Sequence, residues 1–279
     1  MKSSRVLIKL GGSFLKETAN LDVVAETLKE YRKYEYQPIV VHGGGPSINE
    51  ELTRRGIEWS FLDGQRVTSP AMMEVIESVL CGDINRRLVR HFVGHGIPAV
   101  GFSGADGNTL MCEAASPALG QVGAITEVSA HWIEGLLALQ ESILPVISPV
   151  GIGETGQAYN INADWAAAHL AVALKVKYLI FLTDQKGILD QEKSLIPNLS
   201  SEALHGLIQC GVVNGGMLTK VNAINHALKN GVSAVRVMDA REMNAGLWSN
   251  HVGTWCMSAE HTLDTLFPQP SYEVSHVAG

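Results

Sequence analysis

Two lysines stand beside paired glycines in this 279-residue chain, a pattern suited to holding a phosphate. Lys9 ends an apolar run, Arg5 to Leu10, and Gly11-Gly12-Ser13 follows at once. Inside a core its ammonium would need a partner or water. At the carboxyl edge of an α/β sheet it would point into the crevice where ligands bind. The glycines there would let backbone N–H groups approach a phosphate closely. A lysine that snorkels to solvent beside a structural turn fits the same segment. Gly215 and Gly216 open a helical stretch with Lys220 about one turn inside, where a phosphate at the helix N-terminus would meet it. A solvated helical lysine is the plain alternative.

His42-Gly43-Gly44-Gly45-Pro46 repeats the order of strand, glycines and helix. Three glycines exceed what a turn needs, and they leave amides and a helix dipole open to an anion. Arg66, in Gly64-Gln65-Arg66-Val67-Thr68, carries a planar fork that suits a carboxylate or a phosphate, or it is an ordinary surface arginine. Asn160 and Asn162 alternate as in a strand and lead into a helix that one of them can cap. Asp164, in the first turn of that helix, satisfies the dipole or holds nearby lysines. Gly151 to Gly156 matches the dinucleotide pattern G-x-G-x-x-G, but the strand-like Ala158 to Asn162 follows where a helix would be required, so a hairpin is expected. The chain has no G-x-x-x-x-G-K-[ST] sequence, H-E-x-x-H metal site or G-x-S-x-G elbow.

The elements that must position these residues alternate as in an α/β protein with a mainly parallel sheet. Strands are expected at Arg5–Leu10, Pro38–Val41, Pro98–Phe102, Leu144–Ser148, Tyr178–Leu182 and Ala234–Met238. Helices are expected at Asp22–Tyr34, from near Pro46, and over Met72–Val93 as one long or two abutting helices. Three more are expected at Ala163–Leu174, Ser200–Gln209 and Met217–Lys229, with hairpins within Asn108–Val128. A new strand–helix series begins after Lys175, which suggests lobes at 1–175 and 176–279 within one continuous fold. The tail from Phe267 has little periodicity and is expected to be frayed.

Composition narrows the classes of function. The chain is 46% hydrophobic and 18% charged, as globular proteins are, and its net charge of −7 disfavours nucleic acid and acidic membranes as partners. No apolar run reaches the roughly 18 residues of a membrane span. Cys81, Cys112, Cys210 and Cys256 lie far apart, which fits reduced thiols in a cytoplasmic protein better than a disulfide framework or a zinc site.

In order along the chain, several segments together resemble the amino-acid kinase family, in particular its acetylglutamate-phosphorylating members. They are Lys9 with Gly11-Gly12, Val41 to Gly45, Gly64 to Thr68, Asn160 to Asp164, Leu182-Thr183-Asp184 with Gly187-Ile188, and Gly215 to Lys220. The likeness extends to Gly253-Thr254 and covers nearly the whole chain. It implies an open αβα sandwich with a mainly parallel central sheet, an amino-acid lobe and a C-terminal nucleotide lobe. It implies ATP and Mg2+ as cofactors and N-acetyl-L-glutamate as the substrate. Gly44, Gly45, Arg66 and Asn160 would hold that substrate. Lys9 and Lys220 would stabilise the transferring phosphoryl group, with Asp164 orienting them. Gly11, Gly12, Thr183, Asp184, Gly215 and Gly216 would lie by the nucleotide.

The chain departs from the family pattern in two places. Strand one begins within a few residues of Met1, without the extra N-terminal helix of arginine-inhibited hexamers, and Ala245 to Val252 lacks the acidic residue usual before the Gly-Thr. Both departures favour a plain homodimer free of arginine control. The competing readings are sister kinases acting on carrier-bound α-aminoadipate or on carbamate, a non-catalytic relative, and a dehydrogenase built on Gly151.

Overall fold

The computed structural model describes residues 4–140, 142–213, 215–245, 252–258 and 260–261. Its first strands are β1 (Ser4–Leu10), β2 (Tyr36–His42), β3 (Phe61–Leu62), β4 (Gln65–Arg66), β5 (Ala99–Ser103), β6 (Leu110–Ala114) and β7 (Gly123–Val128). They continue as β8 (Leu144–Ser148), β9 (Val150–Ile152), β10 (Ala158–Asn160), β11 (Tyr178–Thr183), β12 (Asn198–Ser200), β13 (Ala234–Asp239) and β14 (Thr254–Met257). The helices are α1 (Thr18–Lys33), α2 (Gly45–Arg54), α3 (Pro70–Glu77), α4 (Asn85–Gly94), α5 (His131–Leu139), α6 (Ala163–Ala173), α7 (Ser201–Gln209) and α8 (Gly215–Lys229).

Continuous Val-, Ile- and Leu-rich runs are the mark of strands buried on both faces, and the central strands here obey it. Eight strands make one sheet in the order β12-β14-β13-β11-β1-β2-β8-β5. Every neighbouring pair is parallel except β13 with β14. The pleat divides β1 between two cores. Val6, Ile8 and Leu10 join one apolar cluster with residues of α1 to α4, such as Val24, Leu52, Ile76 and Phe92. Leu7 joins the other with Phe181 and residues of α5 to α8, such as Leu137, Leu170 and Ile224. This is the expected open αβα sandwich with a mainly parallel sheet.

Two smaller sheets sit beside the main one. β10-β9-β6-β7 forms the first, and β3 with β4 forms a hairpin. The β6–β7 pair lies within the expected hairpin region. β9 and β10 are antiparallel, and Gly156 turns between them at φ +87°. Gly151 to Gly156 is therefore a hairpin and no dinucleotide loop.

Met72 to Val93 lies in a single helical rod. α3 begins at a Ser69 cap whose Oγ accepts from the Met72 N–H at 3.3 Å. It runs into a π-helical segment, Ser78–Ile84, and then directly into α4. Leu80, Ile84, Leu88 and Phe92 are buried along it. α5 and β14, a strand held between β12 and β13, lack a clear sequence signal. α5 has Gly135 within His131–Leu139 and an apolar content too even to mark one stripe.

No helix among the described residues is long and apolar enough to cross a membrane. All four cysteines are free. Most of the segment 245–252, and the tail from Phe267, lie outside the described residues.

Candidate active site

The register of the sheet places Lys9 of β1 beside Phe181 of β11, with both on the face covered by α6 and α8. Asp164 enters from the first turn of α6, which Asn162 caps by accepting from the Asp164 and Trp165 N–H groups at 2.9 and 3.3 Å. Asn162 is thus the capping asparagine, and Asn160 is left for another task. Lys220 enters from α8 with its ammonium 4.9 Å from the centre of the Phe181 ring. The three charges meet on one carboxylate: Lys9 Nζ is 2.7 Å from Asp164 Oδ1, and Lys220 Nζ is 2.8 Å from Oδ2.

All three side chains are buried. Burial alone would raise the Asp164 carboxyl, but Lys220 and Lys9 outweigh it and hold the group well below the usual carboxylate range. Burial pushes Lys220 down from the ordinary lysine value, against the pull of Asp164. One carboxylate serves two ammoniums, so the cluster carries a net positive charge and gains when an anion arrives.

The two glycine loops meet above this cluster. Gly11 N–H donates to the Leu182 carbonyl at 2.9 Å, and Gly43 N–H donates to that of Leu10 at 2.9 Å, so each loop is sewn to the end of a neighbouring strand. A Cβ on Gly12 would stand 2.9 Å from the Gly45 nitrogen and 3.0 Å from that of Gly44. Only a bare backbone allows that approach. α2 starts at Gly45 with Gly44 as its N-cap and no capping side chain, leaving first-turn amides for an anion.

Arg66 and Asn160 close the far side. Arg66 is buried, and burial lowers its guanidinium below the ordinary value. It stays charged all the same. Its Nη2 donates to Asn49 Oδ1, while Nη1 is buried without a hydrogen-bond partner. The guanidinium lies 4.8 Å from the Phe61 ring centre and 5.2 Å from that of Trp59. Asn160 Nδ2 donates to Thr68 Oγ1 at 3.1 Å, and Thr68 donates in turn to the Arg66 carbonyl at 2.8 Å. The threonine of G-x-R-x-T thereby fixes the asparagine to the arginine's own strand.

These groups enclose a cavity of about 380 Å³. Lys9, Gly11, Gly12, Gly44, Gly45, Arg66, Asn160, Asp164 and Thr183 all lie in its wall. Lys220 reaches it through Asp164. Asp184, Gly215 and Gly216 are not in the wall. Asp184 accepts from Ser13 Oγ at 3.4 Å, and Gly215 lies across the mouth, its carbonyl oxygen 3.8 Å from a Cβ placed on Gly64. His42 is also outside the wall. It is fully buried between the Gly43 carbonyl and Asn85, and burial lowers it to about 4, so it is a neutral structural group.

Asn49 and Thr68 carry no local signal for these roles, because each acts through a partner brought close only by folding. Gly187-Ile188 and Gly253-Thr254 belong together as a latch. Thr254 Oγ1 accepts from the Ile188 N–H at 2.8 Å and donates to the Ile196 carbonyl at 2.6 Å.

A buried positive pair under two amide-rich loops, with an unspent guanidinium N–H opposite, can bind an anionic donor at one end and a carboxylate at the other. Comparison with known proteins agrees with this arrangement. The model of the amino acid kinase family matches residues 4–239. An acetylglutamate kinase from Bacillus cytotoxicus is 40% identical over 249 residues, covering 89% of this chain and 94% of that protein. One from Ruegeria sp. (strain TM1040) is 38% identical over 242 residues, covering 87% and 84%. A carbamate kinase structure from Giardia superposes with a TM-score of 0.69 at 15% identity, covering 92% of this chain and 99% of that one, a likeness of fold. On the span of that family match and the closeness of those relatives, the chain belongs to the amino acid kinase family.

Proposed function

We propose that the protein transfers the γ-phosphoryl group of ATP to the γ-carboxylate of N-acetyl-L-glutamate, an early step of arginine biosynthesis. The observation that carries the reading is the Lys9–Asp164–Lys220 cluster at one end of a cavity whose other end holds Arg66 and Asn160. Relatives 38–40% identical over most of the chain support the choice of substrate.

The chemistry follows from the charges. A γ-carboxylate is ionised at neutral pH, so it attacks without a general base. A bond forms from its oxygen to the γ-phosphorus as the bond to the bridging oxygen breaks, and ADP leaves with that electron pair. Negative charge spreads over the phosphoryl oxygens in transit, where Lys9, Lys220 and the amides near Gly12 and Gly45 meet it. Asp164 takes no proton. It holds two like charges at one place that would otherwise separate. Arg66 would take the α-carboxylate of the acceptor through its free Nη1–H, with Asn160 alongside. Gly11, Gly12, Thr183, Asp184, Gly215 and Gly216 would border the nucleotide.

Magnesium fits as an ion carried on the nucleotide's phosphates. Each oxygen of Asp164 is taken by a lysine, and the metal characteristically keeps water and phosphate ligands. When bound it would neutralise phosphate charge. Residues 1–175 would form the amino-acid lobe and 176–279 the nucleotide lobe of a cytoplasmic homodimer.

Two measurements test this reading. With ATP, magnesium and hydroxylamine, acetylglutamate should yield the hydroxamate while free glutamate, aminoadipate and carbamate do not. No trapped product from any carboxylate sinks the kinase assignment. Arg66→Lys keeps the charge and loses the fork. It should raise the KM for acetylglutamate about 10- to 100-fold, the worth of one charged hydrogen bond, and leave the KM for ATP within about twofold. An unchanged acceptor KM would remove Arg66 from the carboxylate site.

A further inference from the structure

Between α1 and the end of α4, two imidazoles converge on one carboxylate. His91 and His95 stand four residues apart at the end of α4, so they share one side of that helix. Their rings lie 4.4 Å apart, and each Nε2 faces Asp22 Oδ1 of α1, at 3.4 Å for His91 and 3.2 Å for His95. All three ligand atoms lie within 4.8 Å of one another. None of these residues lines the catalytic cavity.

The proton arrangement suits a metal. His95 Nδ1 is 2.9 Å from the His91 carbonyl, which can only accept. In the neutral ring Nδ1 therefore carries the hydrogen, and the Nε2 lone pair faces Asp22. His91 Nε2 is closed to solvent and makes no hydrogen bond.

The spacing suits one too. A tetrahedral ion with bonds of about 2.0–2.1 Å sets its ligand atoms about 3.3 Å apart, which is the separation between each imidazole nitrogen and the carboxylate oxygen. Glu26 follows Asp22 by one turn of α1, but its carboxylate is paired with Lys29 at 2.7 Å. Water would supply the fourth ligand. Two nitrogens with one or two carboxylate oxygens match zinc and its neighbours, whereas magnesium takes oxygen ligands.

We propose that Asp22, His91 and His95 form a second metal site, selective for a zinc-like divalent transition ion, which staples α1 to α4 apart from the catalytic centre. α1 follows the Gly11-Gly12 loop, and α4 continues the helical rod whose Leu80 and Ile84 pack against Gly44. The staple would therefore join the supports of both glycine loops.

The test uses the full chain, stripped with a chelator and titrated with zinc alone in the absence of nucleotide. One zinc per chain is expected, held at least about tenfold more tightly than in His95→Ala or Asp22→Asn. Both substituted side chains are partly exposed, 30% and 53%, so the variants keep the fold. Cobalt in place of zinc should give the visible absorption of a tetrahedral site, lost in both variants. Zinc should raise the melting temperature of the wild type alone, because an ion bound only by the folded chain stabilises it by mass action. Absence of tight zinc binding in the wild type, or equal affinity in all three proteins, overturns the proposal.

Discussion

Lys220→Ala is expected to lower kcat by a factor on the order of 10²–10³ while the KM for ATP changes only a few-fold. On the proposed mechanism Lys220 would contribute where charge develops, and much of the nucleotide's hold should come from loop amides that the substitution leaves in place. Lys9→Ala should behave alike, because the same carboxylate seats both ammoniums, at 2.7 and 2.8 Å. Steady-state kinetics with ATP and acetylglutamate varied separately give the split. A variant with near-normal turnover would take phosphoryl stabilisation away from that lysine. Either single variant should fold, since Asp164 keeps one cationic partner.

Asp164→Asn carries the larger structural cost. The substitution keeps the shape and removes the charge that lets two buried ammoniums share a site. Breaking a buried ion pair from one side costs about 3–5 kcal/mol, and here the orphaned groups also repel each other. Chemical denaturation should show the loss as a lowered midpoint with an unchanged slope. The pH dependence gives a second signature. Asp164 is held below its unfolded value, which is about 3.9, so the folded chain binds fewer protons there than the unfolded one. Its contribution is complete above that value and fades as pH falls from about 4 through the depressed folded value. The asparagine variant should lack that part of the acid slope. An equal slope in both proteins would mean that Asp164 titrates as an ordinary carboxylate.

How far the site was legible in the sequence depends on the range of each interaction. Lys9 with Gly11-Gly12, the triple glycine and the helix opening at Gly215 are local patterns of strand, bare backbone and helix start, and the fold keeps all three. The uncertainty that sequence left at Lys9 and Lys220, between ligand contact and solvation, ends at Asp164. That residue lies more than 50 positions from either lysine and meets them only through sheet register and helix packing. Asn160 and Asn162 look interchangeable in the chain. The difference lies in the cap geometry of α6 and in Thr68, 92 positions from Asn160. The hairpin at Gly151 was legible because strand alternation after the glycines contradicts the dinucleotide reading. α5 was not, since Leu136, Leu137 and Leu139 lie too close together to mark one face. β14 draws its pairing from β13 and β12, and neither neighbour is visible from its four residues.

The π-helical segment Ser78–Ile84 sets the angular phase of everything after it. An α-helix advances about 100° per residue, and a π turn takes up one extra residue without ending the rod. Leu80 and Ile84 sit inside this segment, with their methyl groups 2.6 Å from where a Cβ on Gly44 would be. Deleting a single residue between 78 and 84 would restore ordinary winding and leave the phase of α4 nearly unchanged, because the π turn has already absorbed one residue. A deletion within α4 itself has no such slack: it would turn the residues beyond it by about 100° and swing Phe92 out of the core. The π segment is therefore a slack loop in the rod, the one place where its length can change by a residue while Asn85 keeps the Val146 carbonyl it meets at 2.9 Å.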